Sequence, residues 1–326
     1  MPALPFLDTR VPGAVGASLV PPGPTMAPAD IAALVASLRA SLTASVAPVA
    51  DVTGLGEVAT GPMLVIDRAT WVSANADMAA TMLAEGAGEP WPVAQRMRDT
   101  IEGRLNGAQL GGLLAVLSSR ILGQYLPFLR TPTLVVVAPN VIKVERELNV
   151  CPADFRLWVC LHEQTHRLQF ARAPWLRGYL IERVGRLLRA GDDSTPRAQR
   201  PSSLLEVVTT PEQHVVLEEV TAAMSLLEGY ADDMMDRVGP AVVPSVATIR
   251  RQFNQRRARG GWTRVVNKLL SMDLKLAQYR DGAAFCRAVI AEVGVEGLNR
   301  VYDAAPNLPT PAEIADPHRW VARVHG

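Results

Sequence analysis

The sequence predicts a mainly α protein with a minor β part, on three observations. Apolar residues recur at helical spacing along most of the chain, only two short stretches have the β-branched density of strands, and a long helical segment carries a pair of histidines four residues apart. With 326 residues and 48% hydrophobic composition there is enough apolar material for a large core. Residues 1–29 are rich in proline, lack a basic start followed by an apolar run, and read as a flexible arm ahead of a single domain over 30–326.

Ile31, Leu34, Val35, Leu38 and Leu42 mark the first amphipathic helix, with Asp30 placed for its first turn. Met63–Asp67 and Thr133–Pro139 are the two strand candidates. Between them, helical patterns cover about Trp71–Glu85, Val93–Leu105 and Gln109–Leu126. The apolar run Leu110–Leu126 is interrupted by Ser118, Ser119, Arg120 and Gln124, short of the roughly 18 unbroken apolar residues of a membrane span. A helix starting at Pro152, with Asp154 in its first turn, runs until Pro174 ends it. Further helices span about Gly178–Arg189 and Glu212–Val238, with a loop at Ala190–Ser203. Beyond Pro244 the pattern stays helical, broken at Gly260-Gly261 and over Pro306–Pro317.

Thirty-three basic against thirty-two acidic residues give a net charge of +1, which excludes a global field for nucleic acid or acidic membranes. The arginines at 250, 251, 256, 257 and 259, with Phe253 and Trp262 among them, could form a local phosphate-binding patch; solvated helix surface is the simpler reading. Cys151, Cys160 and Cys286 are an odd, sparse set, as expected in a reducing, cytoplasmic compartment.

His162-Glu163-Gln164-Thr165-His166 is an H-E-x-x-H motif. Side chains four apart on a helix share a face, so both imidazoles can reach one metal while Glu163 reaches a water beside it. The spacing suits tetrahedral zinc with an open position. Imidazoles that merely decorate a helix are the bland alternative, but Trp158 and Val159 precede His162 on the same face, where an unpaired imidazole is costly. Gln169 and Arg172 stand where a metzincin would have Gly and His, so the third ligand lies elsewhere.

Glu228 falls within a stripe of Thr221, Met224, Ala231 and Met235 and is the leading third ligand, with Glu218, His214 and Asp232 as alternatives. Asp232, one turn on, is placed to accept a hydrogen bond from a liganding His. The expected chemistry is hydrolysis of an amide in a peptide or protein substrate by zinc-activated water, with Glu163 as general base. Tyr230 follows Glu228 directly, but helical phase turns it to the far face, leaving the oxyanion partner unassigned.

GPMLVIDRATWV, the long segment from TPTLVVVAPNVIKVERELNV through CPADFRLWVCLHEQTHRLQFARAPWL, MSLLEGYADDMMD, and the stretch from KLAQYRDGAAFC to DPHRWVARV cover most of the chain from about Gly61. In these stretches it resembles zincin-like metallopeptidases described as associated with biosynthesis of the deazaflavin coenzyme. The resemblance implies a zincin-like, mostly helical fold with the zinc site between two long helices, and two histidines and a downstream Glu as ligands; it supplies no substrate. The family tends to have Glu-Gly-His-Ala where this chain has Glu228-Gly229-Tyr230-Ala231. A zincin scaffold reused as a non-catalytic binding or regulatory protein is the competing expectation.

Overall fold

A computed structural model describes residues 8–56, 61–87, 101–190, 210–259 and 281–326. In chain order the elements are α1 (Val11–Ser18), α2 (Pro28–Ala44), α3 (Val46–Thr53), β1 (Met63–Ile66), α4 (Arg68–Ala87), α5 (Ile101–Ser118), β2 (Gly123–Leu126), β3 (Thr133–Val137) and α6 (Ala138–Leu148). There follow α7 (Pro152–Arg172), α8 (Trp175–Ala190), α9 (Pro211–Val238), α10 (Val246–Arg259), α11 (Asp281–Leu298), two short 3-10 turns, α12 (Pro311–Ala315) and α13 (Pro317–His325). The fold is mainly α with one small sheet, as the sequence predicts. The chain forms two compact units, each assembled from three separate stretches.

The first unit takes residues 1–35, 61–143 and 180–214. Its sheet has the order β1-β3-β2, with β1 parallel and β2 antiparallel to β3. All five residues of β3 are buried, which explains its unbroken apolar run: a central strand covered on both faces has no polar side to alternate with. Trp71, Val72 and Ala76 of α4, Leu114 of α5 and Leu126 of β2 close a core with Val135 and Val137. The Trp71 indole N–H donates to Gln124 Oε1 at 2.7 Å. Arg68, 4% exposed, is a buried cation of this unit. It donates to Asn140 Oδ1 and to the Pro21 and Pro22 carbonyls, while the Asn140 amide donates to the Ser118 and Ile121 carbonyls.

Several expectations change here. The helix expected over Gln109–Leu126 stops at Ser118, and Gly123–Leu126 is a strand whose partner lies in β3, a pairing that local periodicity does not reveal. The strand expected to reach Pro139 ends at Val137, because Pro139 sits in the first turn of α6. The proline-rich arm contains a helix, α1, which packs against α4 and α5. Residues 93–100, the loop from 191 onward and Gly260-Gly261 lie outside the described residues.

The second unit takes residues 36–60, 144–179 and 215–326. Phe155, Leu161 and Leu168 of α7, Leu226, Tyr230 and Met234 of α9, Phe285 and Val289 of α11, and Trp320 of α13 are all fully buried. Gly229 and Gly282 let α9 and α11 touch backbone to backbone. A Cβ at Gly229 would lie 2.1 Å from the Gly282 carbonyl carbon, and one at Gly282 would lie 1.9 Å from the Ser225 carbonyl oxygen. Among the described residues the stretch Pro28–Thr53 is long and apolar enough to cross a membrane by length and composition alone. Its C-terminal part, α3, packs on α7, and the Thr53 carbonyl accepts from Asn299 Nδ2 at 2.8 Å.

Candidate metal centre

Pro152 and Asp154 start α7 as expected, the Asp154 carboxylate also accepting from the Ser245 backbone N–H. One turn separates His162 from His166, so the two imidazoles lie on one face, 4.7 Å apart by ring centres and nearly perpendicular. Their Nε2 atoms face each other at 3.1 Å. From α9, Glu228 brings Oε2 to 3.4 Å from His162 Nε2 and Oε1 to 3.5 Å from His166 Nε2. Among the described residues these three form a group that could hold a metal ion, their ligand atoms all within 4.8 Å of one another. Of the alternatives, Glu218 is exposed beside Pro311, and His214 is exposed with Nδ1 at 2.8 Å from the Thr210 carbonyl.

Two imidazole lone pairs cannot face each other at 3.1 Å without a proton or a cation between them. Tetrahedral zinc with bonds of about 2.0–2.1 Å sets its ligand atoms about 3.3 Å apart. Separations of 3.1, 3.4 and 3.5 Å therefore fit such an ion. Glu228 is less enclosed than its apolar stripe suggests, keeping 45% of its side-chain surface exposed, whereas His162 and His166 keep 21% and 12%. The site is thus walled on the α7 side and open to solvent beside Glu228.

The charges respond to this crowding. Burial alone would lower His162, but its hydrogen bond to Glu228 and the nearby carboxylates raise it to about 9. Burial lowers His166, and the charge on His162 adds to this against the pull of Glu228. Burial lifts Glu163 to about 7, with His162 opposing and Glu228 adding to the rise. Glu163 is only 7% exposed and makes no hydrogen bond or ion pair among the described residues.

The outer nitrogens of the imidazoles have other neighbours. His162 Nδ1 lies 3.0 Å from Met235 Sδ, and His166 Nδ1 lies 2.8 Å from Gln169 Oε1. Gln169, wholly buried, stands in the sequence at the metzincin Gly position and follows His166 on the motif helix; its place one turn beyond His166 was the available signal. Asp232 acts on both histidines through its charge, and its Oδ1 accepts from Arg250 Nη1 at 3.2 Å. Arg250 also pairs with Asp236 and sits over the Trp158 ring, and Arg256 pairs with Glu147, so these members of the basic run have acidic partners. Tyr230 points away from Glu228, wholly buried, its hydroxyl donating to Asn299 Oδ1 at 2.8 Å. Cys160 is buried and burial pushes its thiol far up; none of the three cysteines is paired.

Two imidazoles from one helix and a carboxylate from another, with a second carboxylate left unpaired beside them, have the layout of a metal-dependent hydrolase. Residues 7–321 match the model of the zincin-like metallopeptidases, and the chain belongs to that family. It is also similar to a protein from Chloroflexus aurantiacus whose crystal structure is described as that of a proposed hydrolase with a novel fold. That structure is 30% identical, with a TM-score of 0.72, the match covering 97% of this chain and 98% of the other. Among curated proteins none matches.

Proposed function

We propose that this protein is a zinc-dependent hydrolase that cleaves amide bonds in peptides or proteins, with His162, His166 and Glu228 holding the metal and Glu163 as general base. The observation that carries the reading is Glu163: a nearly buried carboxylate, free of hydrogen bonds among the described residues and raised to about 7, beside three ligand atoms at zinc spacing. When bound, zinc would make a water molecule more acidic and polarise a carbonyl. Glu163 would take the proton of the attacking water and return it to the leaving nitrogen, a task suited to a carboxylate poised near neutrality. His162 and His166 would present Nε2, and the exposed flank of Glu228 would admit the substrate.

The test is metal content of the purified protein by elemental analysis, followed by cleavage of a mixed peptide library. About one zinc per chain in wild type, greatly reduced in Glu228→Ala, with cleavage lost in Glu163→Gln while zinc is kept, is the expected result. Wild type that stays metal-free after incubation with zinc would sink the proposal. Zinc binding with no cleavage of any library peptide would favour the binding-protein reading instead.

A further inference from the structure

We infer that Gln169 is a positioning residue of this centre: its side-chain amide fixes the tautomer of His166 and ties the helix carrying the two histidines to the residue preceding Glu228. The inference rests on the zinc reading for its consequence, though not for its geometry.

The orientation of the amide follows from its partners. Gln169 Nε2 lies 3.0 Å from the Leu227 carbonyl oxygen, which only accepts, so the NH2 group must face it. The second N–H of that group donates to the Tyr302 hydroxyl at 2.9 Å. With both donors used, Oε1 is left to face His166 Nδ1 at 2.8 Å, and that oxygen can only accept. Nδ1 therefore carries the proton. A neutral imidazole has one N–H, so its lone pair is on Nε2, the atom that faces His162 and Glu228. A flipped amide would set two carbonyl oxygens against each other at 3.0 Å in a site that excludes water.

Gln169 is 0% exposed and Tyr302 is 1% exposed, so neither can exchange these partners for solvent. Tyr302 is itself fixed: Trp175 Nε1 donates to its carbonyl oxygen at 3.0 Å, and its ring meets Tyr230 edge-to-face. His162 has no comparable support, its Nδ1 facing only a thioether sulfur, a weak acceptor. The two histidines are thus unequal, one with its ligand nitrogen predetermined and the other held softly. Metal-binding imidazoles generally depend on such an outer acceptor, whose loss weakens affinity roughly ten- to hundred-fold.

Two measurements test this. In metal-free wild type, long-range proton–nitrogen NMR correlations of the imidazoles should show His166 protonated on Nδ1; protonation on Nε2 alone would overturn the inference without need of any variant. Zinc titration against a chromogenic chelator should then show Gln169→Met weakened roughly ten- to hundred-fold, with Gln169→Glu, which keeps an acceptor at Nδ1 and as the neutral acid can donate to the Leu227 carbonyl, recovering part of the loss. Equal weakening in both variants would assign Gln169 a packing role only, and wild-type affinity in a folded Gln169→Met would equally refute the positioning role. If wild type binds no zinc, the proposed function fails, while the tautomer of the metal-free protein still decides the role of Gln169.

Discussion

Replacing Gly229 by alanine should damage both stability and metal binding, through one displacement. The added Cβ would meet the Gly282 carbonyl carbon at 2.1 Å and the Ala283 nitrogen at 2.4 Å. An ordinary carbon–carbon contact is about 3.6 Å, so α9 and α11 must separate by about 1.5 Å at this point. Overfilling of this kind costs typically about 1–3 kcal/mol, and the neighbouring atoms are backbone, which cannot rotate out of the way. The same step gains up to about 1 kcal/mol of helix propensity, so the net loss should be up to about 2 kcal/mol. Gly178→Ala is the matched control, since a Cβ there meets nothing within 4 Å, and it should be neutral or stabilising. Because Glu228 is the adjacent residue, the displacement should also weaken zinc binding measurably. The assay is thermal unfolding of both metal-free variants, paired with chelator competition for zinc. A Gly229→Ala protein that melts with Gly178→Ala would refute the backbone contact between α9 and α11.

Other outcomes follow from the charges and hydrogen bonds. His162 is raised from 6.5 to about 9, so its pairing with Glu228 stabilises the metal-free protein fully below pH 6.5 and is lost as pH rises through about 9. The melting temperature of metal-free protein should therefore fall between pH 7 and 9.5, while apparent zinc affinity rises by up to about tenfold per pH unit below 9, because the metal must displace that proton. Calorimetry with and without zinc reads both trends, and a metal-free melting temperature that rises over this range would contradict the pairing. Arg68→Met should cost about 3 kcal/mol, since it strands the Asn140 oxygen and two proline carbonyls; urea unfolding measures it, and a loss under 1 kcal/mol would count against the network. Tyr230→Phe should cost about 1 kcal/mol in the same assay yet leave zinc affinity unchanged, because its hydroxyl serves Asn299 and not the metal ligands; altered affinity would place position 230 in the site.

The helix from Pro152 to the residues before Pro174 and the long helix ending at Val238 were legible because proline bounds the first and an apolar stripe through Met224, Ala231 and Met235 marks one face of the second. His162 and His166 share a face by spacing alone, and Glu228 stood out as a carboxylate within an apolar stripe. What was not legible depended on partners distant in sequence. β2 is four residues long and exists by pairing with β3, although Gly123 opens it and Pro127 follows it as breakers. Gln169 looks like any polar helix residue until Leu227 and Tyr302, from later parts of the chain, arrive to use its amide. The two units interleave along the chain, so no composition shift marks them.

Four consecutive residues of α9 each serve a different neighbour: the Leu227 carbonyl takes the Gln169 amide, Glu228 faces the histidines, Gly229 admits α11, and Tyr230 reaches Asn299. The helix here acts as a single gear tooth meshed on every side. A substitution strips one face of it, but inserting or deleting one residue just upstream would turn all four by about 100° together. Such a change would misplace ligand, amide partner, packing glycine and buried hydroxyl in one step, making the length of α9 a stricter requirement than the identity of most residues along it.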